Sequence, residues 1–73
     1  MNKIPPVERD KSTGGLTMAC ASLWCQFLSE ECDWQNDRGL SEYYKRRSQE
    51  LSRAPRGSLH DRRLEEAIKK WKR

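Results

Sequence analysis

Residues 16–28, LTMACASLWCQFL, are the most apolar stretch of this chain, and they constrain its fold more than any other feature. Leu16, Cys20, Leu23, Trp24, Phe27 and Leu28 recur at three- and four-residue spacing, which lays one wide apolar stripe along a helix. The stripe predicts a helix over 17–32, with the Thr17 hydroxyl as its N-cap. This helix must supply most of the core. Only 34% of the 73 residues are apolar and 36% are charged, so no other segment can replace it.

That composition also bounds function. The chain is long enough for one domain, and a domain of roughly 60 residues buries only about 60% of its unfolded surface. A core this thin is marginal alone or is completed by a partner. Walling in a substrate pocket of roughly 300 Å³ or more would exhaust the side chains available. An enzyme is not expected.

Around the central helix, three further segments are legible. Residues 1–15 read as a flexible N-terminal arm: Pro5 and Pro6 forbid an early helix, the charges lack period, and Gly14 and Gly15 close the segment. Ile4 and Val7 are its apolar anchors, suited to ordering on a partner. Residues 33–39, DWQNDRG, are turn chemistry. Glu30, Glu31 and Asp33 lie just before that turn, where the helix dipole disfavours acids, so the helix either frays there or meets basic side chains. A second helix is predicted over 41–53, capped by Ser41, with Leu40, Tyr44 and Leu51 inward and Glu42 and Arg46 paired at i,i+4. Pro55 stops it. Ser58 and Asp61 then make a variant capping box for a third helix over 59–71, whose stripe is Leu64, Ala67, Ile68 and Trp71. Glu65 with Lys69, and Glu66 with Lys70, stand in the favourable i,i+4 order. No strand-like alternation is visible. The expected fold is all-α: a small three-helix domain over 16–73 behind the arm, packed on Leu23, Trp24, Phe27, Leu40, Leu51, Leu64 and Ile68.

Three cysteines, Cys20, Cys25 and Cys32, make an odd number, and the sequence opens without a secretory pattern. That combination predicts free thiols in a reducing cytosol. No apolar run approaches the roughly 18 residues that span a membrane. With His60 the cysteines could nominally form a zinc set, but their spacing is that of a helix face. Cys25 and Cys32 would sit two turns apart, roughly 10 Å by the helical rise, too far to share a metal. Nothing orients His60 against a nucleophile, and no glycine-rich phosphate loop is present. Neither catalytic residue, metal nor cofactor is expected.

Charge is the positive signal. Residues 1–37 carry three basic and six acidic side chains, a net of −3, whereas residues 38–73 carry twelve and five, a net of +7. A half this basic attracts polyanions or an acidic protein face. The candidate partner-binding set is Arg46, Arg47, Arg53 and Arg56, then Arg62, Arg63, Lys69 and Lys70, joined by Ile4 and Val7 of the arm. The linker Ala54-Pro55-Arg56-Gly57 is loosely compatible with a helix-turn-helix, though Leu59, His60 and Asp61 offer few base-reading groups.

The length, the IPPVERDK arm, the helix LTMACASLWCQFLSEECDW and the arginine-rich tail together resemble the small transcription regulators of lytic Xanthomonas phages. The likeness runs over the whole chain without one specific motif. It implies binding to host bacterial RNA polymerase at the N-terminal region of the β′ subunit, near the RNA exit channel. It further implies σ displacement at promoters and antitermination beside the elongation factor NusA, in the cytoplasm of a bacterial host. A monomer with its basic face toward nascent RNA, DNA or acidic protein is then expected. The alternative is a stand-alone helix-turn-helix protein that binds DNA or RNA.

Overall fold

A computed structural model describes residues 4–53 and 57–71. In chain order it contains β1 (Leu16–Thr17), α1 (Met18–Trp34), α2 (Arg38–Arg53), β2 (Ser58–Leu59) and α3 (Arg62–Trp71). The fold is predominantly helical, a three-helix domain with one minute sheet. Arg56 lies outside the described residues, as do Ala54 and Pro55.

Thr17 caps α1 as its sequence position predicts. It is extended (φ −64°, ψ 151°), and its Oγ1 accepts the Cys20 amide at 3.2 Å. The other end of α1 closes through Asn36, held in the left-handed region at φ 61°. There the Asn36 amide donates to Asp33 O at 3.1 Å and the Asp37 amide to Cys32 O at 2.8 Å, the paired bonds of a Schellman motif. The acids before this turn do meet a base: Asp33 accepts the Ser41 hydroxyl at 2.7 Å and lies 3.4 Å from Lys45 Nζ.

Asp37, not Ser41, starts α2. Its carboxylate accepts the Leu40 amide at 3.3 Å and its carbonyl accepts the Ser41 amide at 3.0 Å. The helix therefore begins at Arg38, three residues before the predicted start. Ser41 is left buried, its hydroxyl bonded to Asp33 across the hairpin. Serines also line the seam between α1 and α2. Ser22 Oγ lies 3.4 Å from Ser48 Oγ and 3.1 Å from Ser52 Oγ, and Ser29 is buried. Such small side chains let two helices approach closely.

The core is Leu16, Cys20, Ala21, Trp24, Cys25, Phe27 and Leu28 from β1 and α1, with Tyr44, Leu51, Leu64 and Ile68 closing over them. Phe27 stacks edge-on between Trp24 at 5.6 Å and Trp71 at 5.0 Å, which docks α3 on α1. Two residues assigned to the core by periodicity are not in it: Leu23 is 50% exposed and Leu40 is 39% exposed. Each sits on the shoulder of its apolar stripe, outside the arc covered by the neighbouring helix.

The sheet was not legible as alternation. Ser58 and Leu59 do not begin α3. They pair antiparallel with β1, Leu16 opposite Leu59 and Thr17 opposite Ser58. The helix starts three residues later than 59, after Asp61, whose Oδ1 accepts the Arg63 and Leu64 amides at 3.1 and 3.3 Å. Gly15 makes this pairing possible. A Cβ there would fall 2.9 Å from the His60 ring and from the Leu59 carbonyl. On the other side of β1, Arg9 bridges Leu16, and the Thr17 amide donates to Glu8 O at 3.1 Å.

Candidate partner-binding surface

Internal ion pairs decide which of the basic side chains face outward. Arg47 is committed to the fold. Its guanidinium donates to Asp61 Oδ2 at 3.1 Å and to Glu50 Oε2 at 3.4 Å. Burial works against its charge, and the two carboxylates overcome that effect, so its pKa is raised. Because Asp61 also caps α3, this one residue ties the middle of α2 to the start of α3.

The partners anticipated along α3 are rearranged as well. Glu65, which its spacing pairs with Lys69, is held instead by Arg9, at 2.7 and 3.1 Å. The Arg9 hydrogen bonds keep its carboxyl below the ordinary range. Glu66 takes Arg62, at 3.7 Å, rather than Lys70. Arg63 lies over the half-exposed Tyr43 ring, 5.3 Å from its centroid, in cation–π range.

What remains is a smaller basic set. Arg46 and Arg53 on α2, and Lys69 and Lys70 in the last turn of α3, are exposed and form no ion pair among the described residues. Arg62 and Arg63 are exposed at the start of α3. Helices α2 and α3 meet through side chains, Arg47 on Asp61 and Arg63 on Tyr43, while α3 packs its apolar stripe on α1. Of the arm anchors, Ile4 is 43% exposed, whereas Val7 is half-buried against the core.

A second surface is hidden from the sequence, because the apolar period puts Leu23 inside whereas it is half exposed. Met18, Ala19, Ser22 and Leu23 on α1, with Leu51 and Ser52 on α2, line an open, uncharged groove of about 370 Å³. The spacing of Ser22 and Ser29, seven residues apart and mirrored by Ser41 and Ser48, is the signal that could have revealed the seam beneath it. At the far tip of the hairpin Trp34 is 81% exposed.

Cys25 is buried, which pushes its thiol up to about 11 and away from the reactive thiolate. Burial, then Asp37, Asp33 and Glu31, raise Cys32. Among the described residues no three His, Cys, Asp or Glu side chains gather as a metal-ligand set. No helix among them is long and apolar enough to cross a membrane. Comparisons with protein-family models, curated proteins and solved structures find no match for this chain.

Proposed function

We propose that the chain is a non-enzymatic regulator that binds bacterial RNA polymerase at the N-terminal region of β′ near the RNA exit channel. There it inhibits σ-dependent initiation and promotes antitermination, with NusA as a neighbouring partner. It works in the cytoplasm of a bacterial host, as a monomer. The observation that carries the reading is the positive charge left outside internal pairing: Arg46, Arg53, Lys69 and Lys70 are exposed and in no salt bridge among the described residues. Exposed positive charge of this kind suits nucleic acid or an acidic protein surface and accelerates encounter with either. The resemblance of arm, central helix and basic tail supplies the polymerase as partner.

Affinity capture from bacterial lysate, with and without nuclease, tests it. Polymerase retained after nuclease and at moderate salt supports the proposal. High-affinity binding to one particular DNA duplex, with polymerase ignored, would favour the stand-alone DNA-binding reading. Equal binding to every duplex, collapsing as salt rises, would reveal only the counterion term.

A further inference from the structure

We propose that residues 4–15 form a strap that lifts off the folded helical body as a unit, with the Arg9–Glu65 pair as its clasp. The contacts of this segment fall into two groups. Those within it are self-contained: the Asp10 amide donates to Gly15 O and the Gly14 amide to Asp10 O, both at 2.8 Å, and the Ser12 amide donates to Asp10 Oδ1 at 2.8 Å. Its turn therefore keeps its shape wherever the segment goes.

The contacts that hold it down are few and peripheral. The Arg9 and Glu65 side chains are 45% and 34% exposed, so their two-pronged pair is screened by solvent. Thr13 reaches Ser58 through one exposed hydroxyl pair at 2.7 Å. The Glu8 amide donates to Cys20 Sγ at 3.4 Å, and the Cys20 thiol donates to Pro6 O at 3.5 Å, both weak sulfur bonds. One main-chain bond, Thr17 to Glu8, the half-buried Val7 and, at the hinge, the buried Gly15 against Leu59 and His60 complete the attachment. The helical body, in contrast, is closed by Trp24, Phe27, Leu51, Leu64 and Ile68, all at least 95% buried. Segments with few buried apolar contacts open at lower free energy than the body that carries them.

Opening would uncover three things together: the Cys20 thiol, the outer edge of β1 along Leu16, and the seat occupied by Val7. That is a slot shaped for an extended segment with a small apolar side chain, which is what the strap itself supplies.

Cys20 and Cys25 make the test internal to the molecule, because each is only 2% exposed in the closed state. Pulsed alkylation of the full-length chain with iodoacetamide, mapped by peptide mass, gives both rates in one sample. Cys20 should react at least about tenfold faster than Cys25, since strap opening precedes unfolding of the body. Arg9→Ala should speed Cys20 by about three- to fivefold, the upper range for an exposed ion pair, and Cys25 by no more than that factor, since the open and the unfolded states both lack the pair. Exchanging the charges, Arg9→Glu with Glu65→Arg, should return Cys20 to the slow rate. Equal wild-type rates at the two cysteines would mean that only whole-chain unfolding exposes them, and the strap would be refuted. Arg9→Ala that leaves Cys20 at the wild-type rate, or a charge exchange that leaves Cys20 fast, would remove the clasp.

Discussion

Replacing Phe27 with alanine removes a ring that is 5% exposed and wedged edge-on between Trp24 and Trp71. Deleting a buried phenylalanine costs about 3–5 kcal/mol, counting the cavity left behind. Each aromatic pair contributes roughly 0.5–1.5 kcal/mol within that total. The Trp71 contact is also a ring-to-ring link between α1 and α3, so its loss loosens the docking of a whole helix. A chain of this length has a global stability of roughly 4–11 kcal/mol, at 0.05–0.15 kcal/mol per residue. The substitution therefore removes about a quarter of the stability at the least, and all of it at the other extreme. In a domain this small each kcal/mol moves the thermal midpoint by about 4–8 °C, so a fall of at least about 12 °C is expected. Far-UV circular dichroism of the melt reads it. Leu23→Ala is the matched control: the apolar period places both residues in the core, but Leu23 is half exposed and should cost only about 0.5 kcal/mol. A Phe27→Ala shift below about 4 °C, or a Leu23→Ala shift as large as that of Phe27→Ala, would refute the packing argument.

Three further outcomes are expected. Asp61→Ala, which loses both the α3 cap and the Arg47 pair, should cost about 1–2 kcal/mol by urea unfolding, and Asp61→Asn clearly less because its side-chain oxygen still caps. The folded state holds the Cys25 proton more tightly than the unfolded chain, so stability tied to it is intact below the ordinary thiol range and is lost as pH rises toward 11. The melting midpoint should fall between about pH 8 and 10.5, and fall less in Cys25→Ala. Finally, Arg46→Glu should slow association with polymerase in a binding-kinetics assay and leave the melting midpoint within a few degrees, whereas Arg47→Glu, facing Glu50 and Asp61, should lower that midpoint by about 4 °C or more.

The parts of the fold that were legible in the sequence are those set by local chemistry. The Thr17 cap, the stripe through Trp24, Phe27 and Leu28, and the existence of three helices follow from spacing over a few residues. What spacing cannot give is which edge of a wide stripe faces inward. Leu23 and Leu40 were misplaced for that reason, since the serine seam between α1 and α2 fixes the rotation of both helices. Two capping residues four apart, Asp37 and Ser41, are equally good locally, and the Schellman closure of α1 selects the first. The strands are two residues long and pair Leu16 with Leu59, so no alternation exists to be read. Among the site residues, the helical period turns the stem of Arg47 partly toward the core, but the carboxylate that holds its guanidinium, Asp61, comes from another element and is not legible from spacing. Arg9, read only as one charge of the arm, proves to be the partner of Glu65.

The three tryptophans stand in three different surroundings, with Trp24 fully buried, Trp71 37% exposed and Trp34 81% exposed. Each therefore reports on a different part of the molecule through its own light emission. Trp34, wetted on nearly every side, emits at the red end and is the first to be quenched by iodide, so binding at the hairpin tip registers there alone. Trp24 emits to the blue and is shielded until the body itself comes apart. Trp71 lies between, sensitive to α3 leaving Phe27 while the α1–α2 hairpin persists. A quencher titration on the unlabelled chain thus separates events at the tip, at the third helix and at the centre without any added dye.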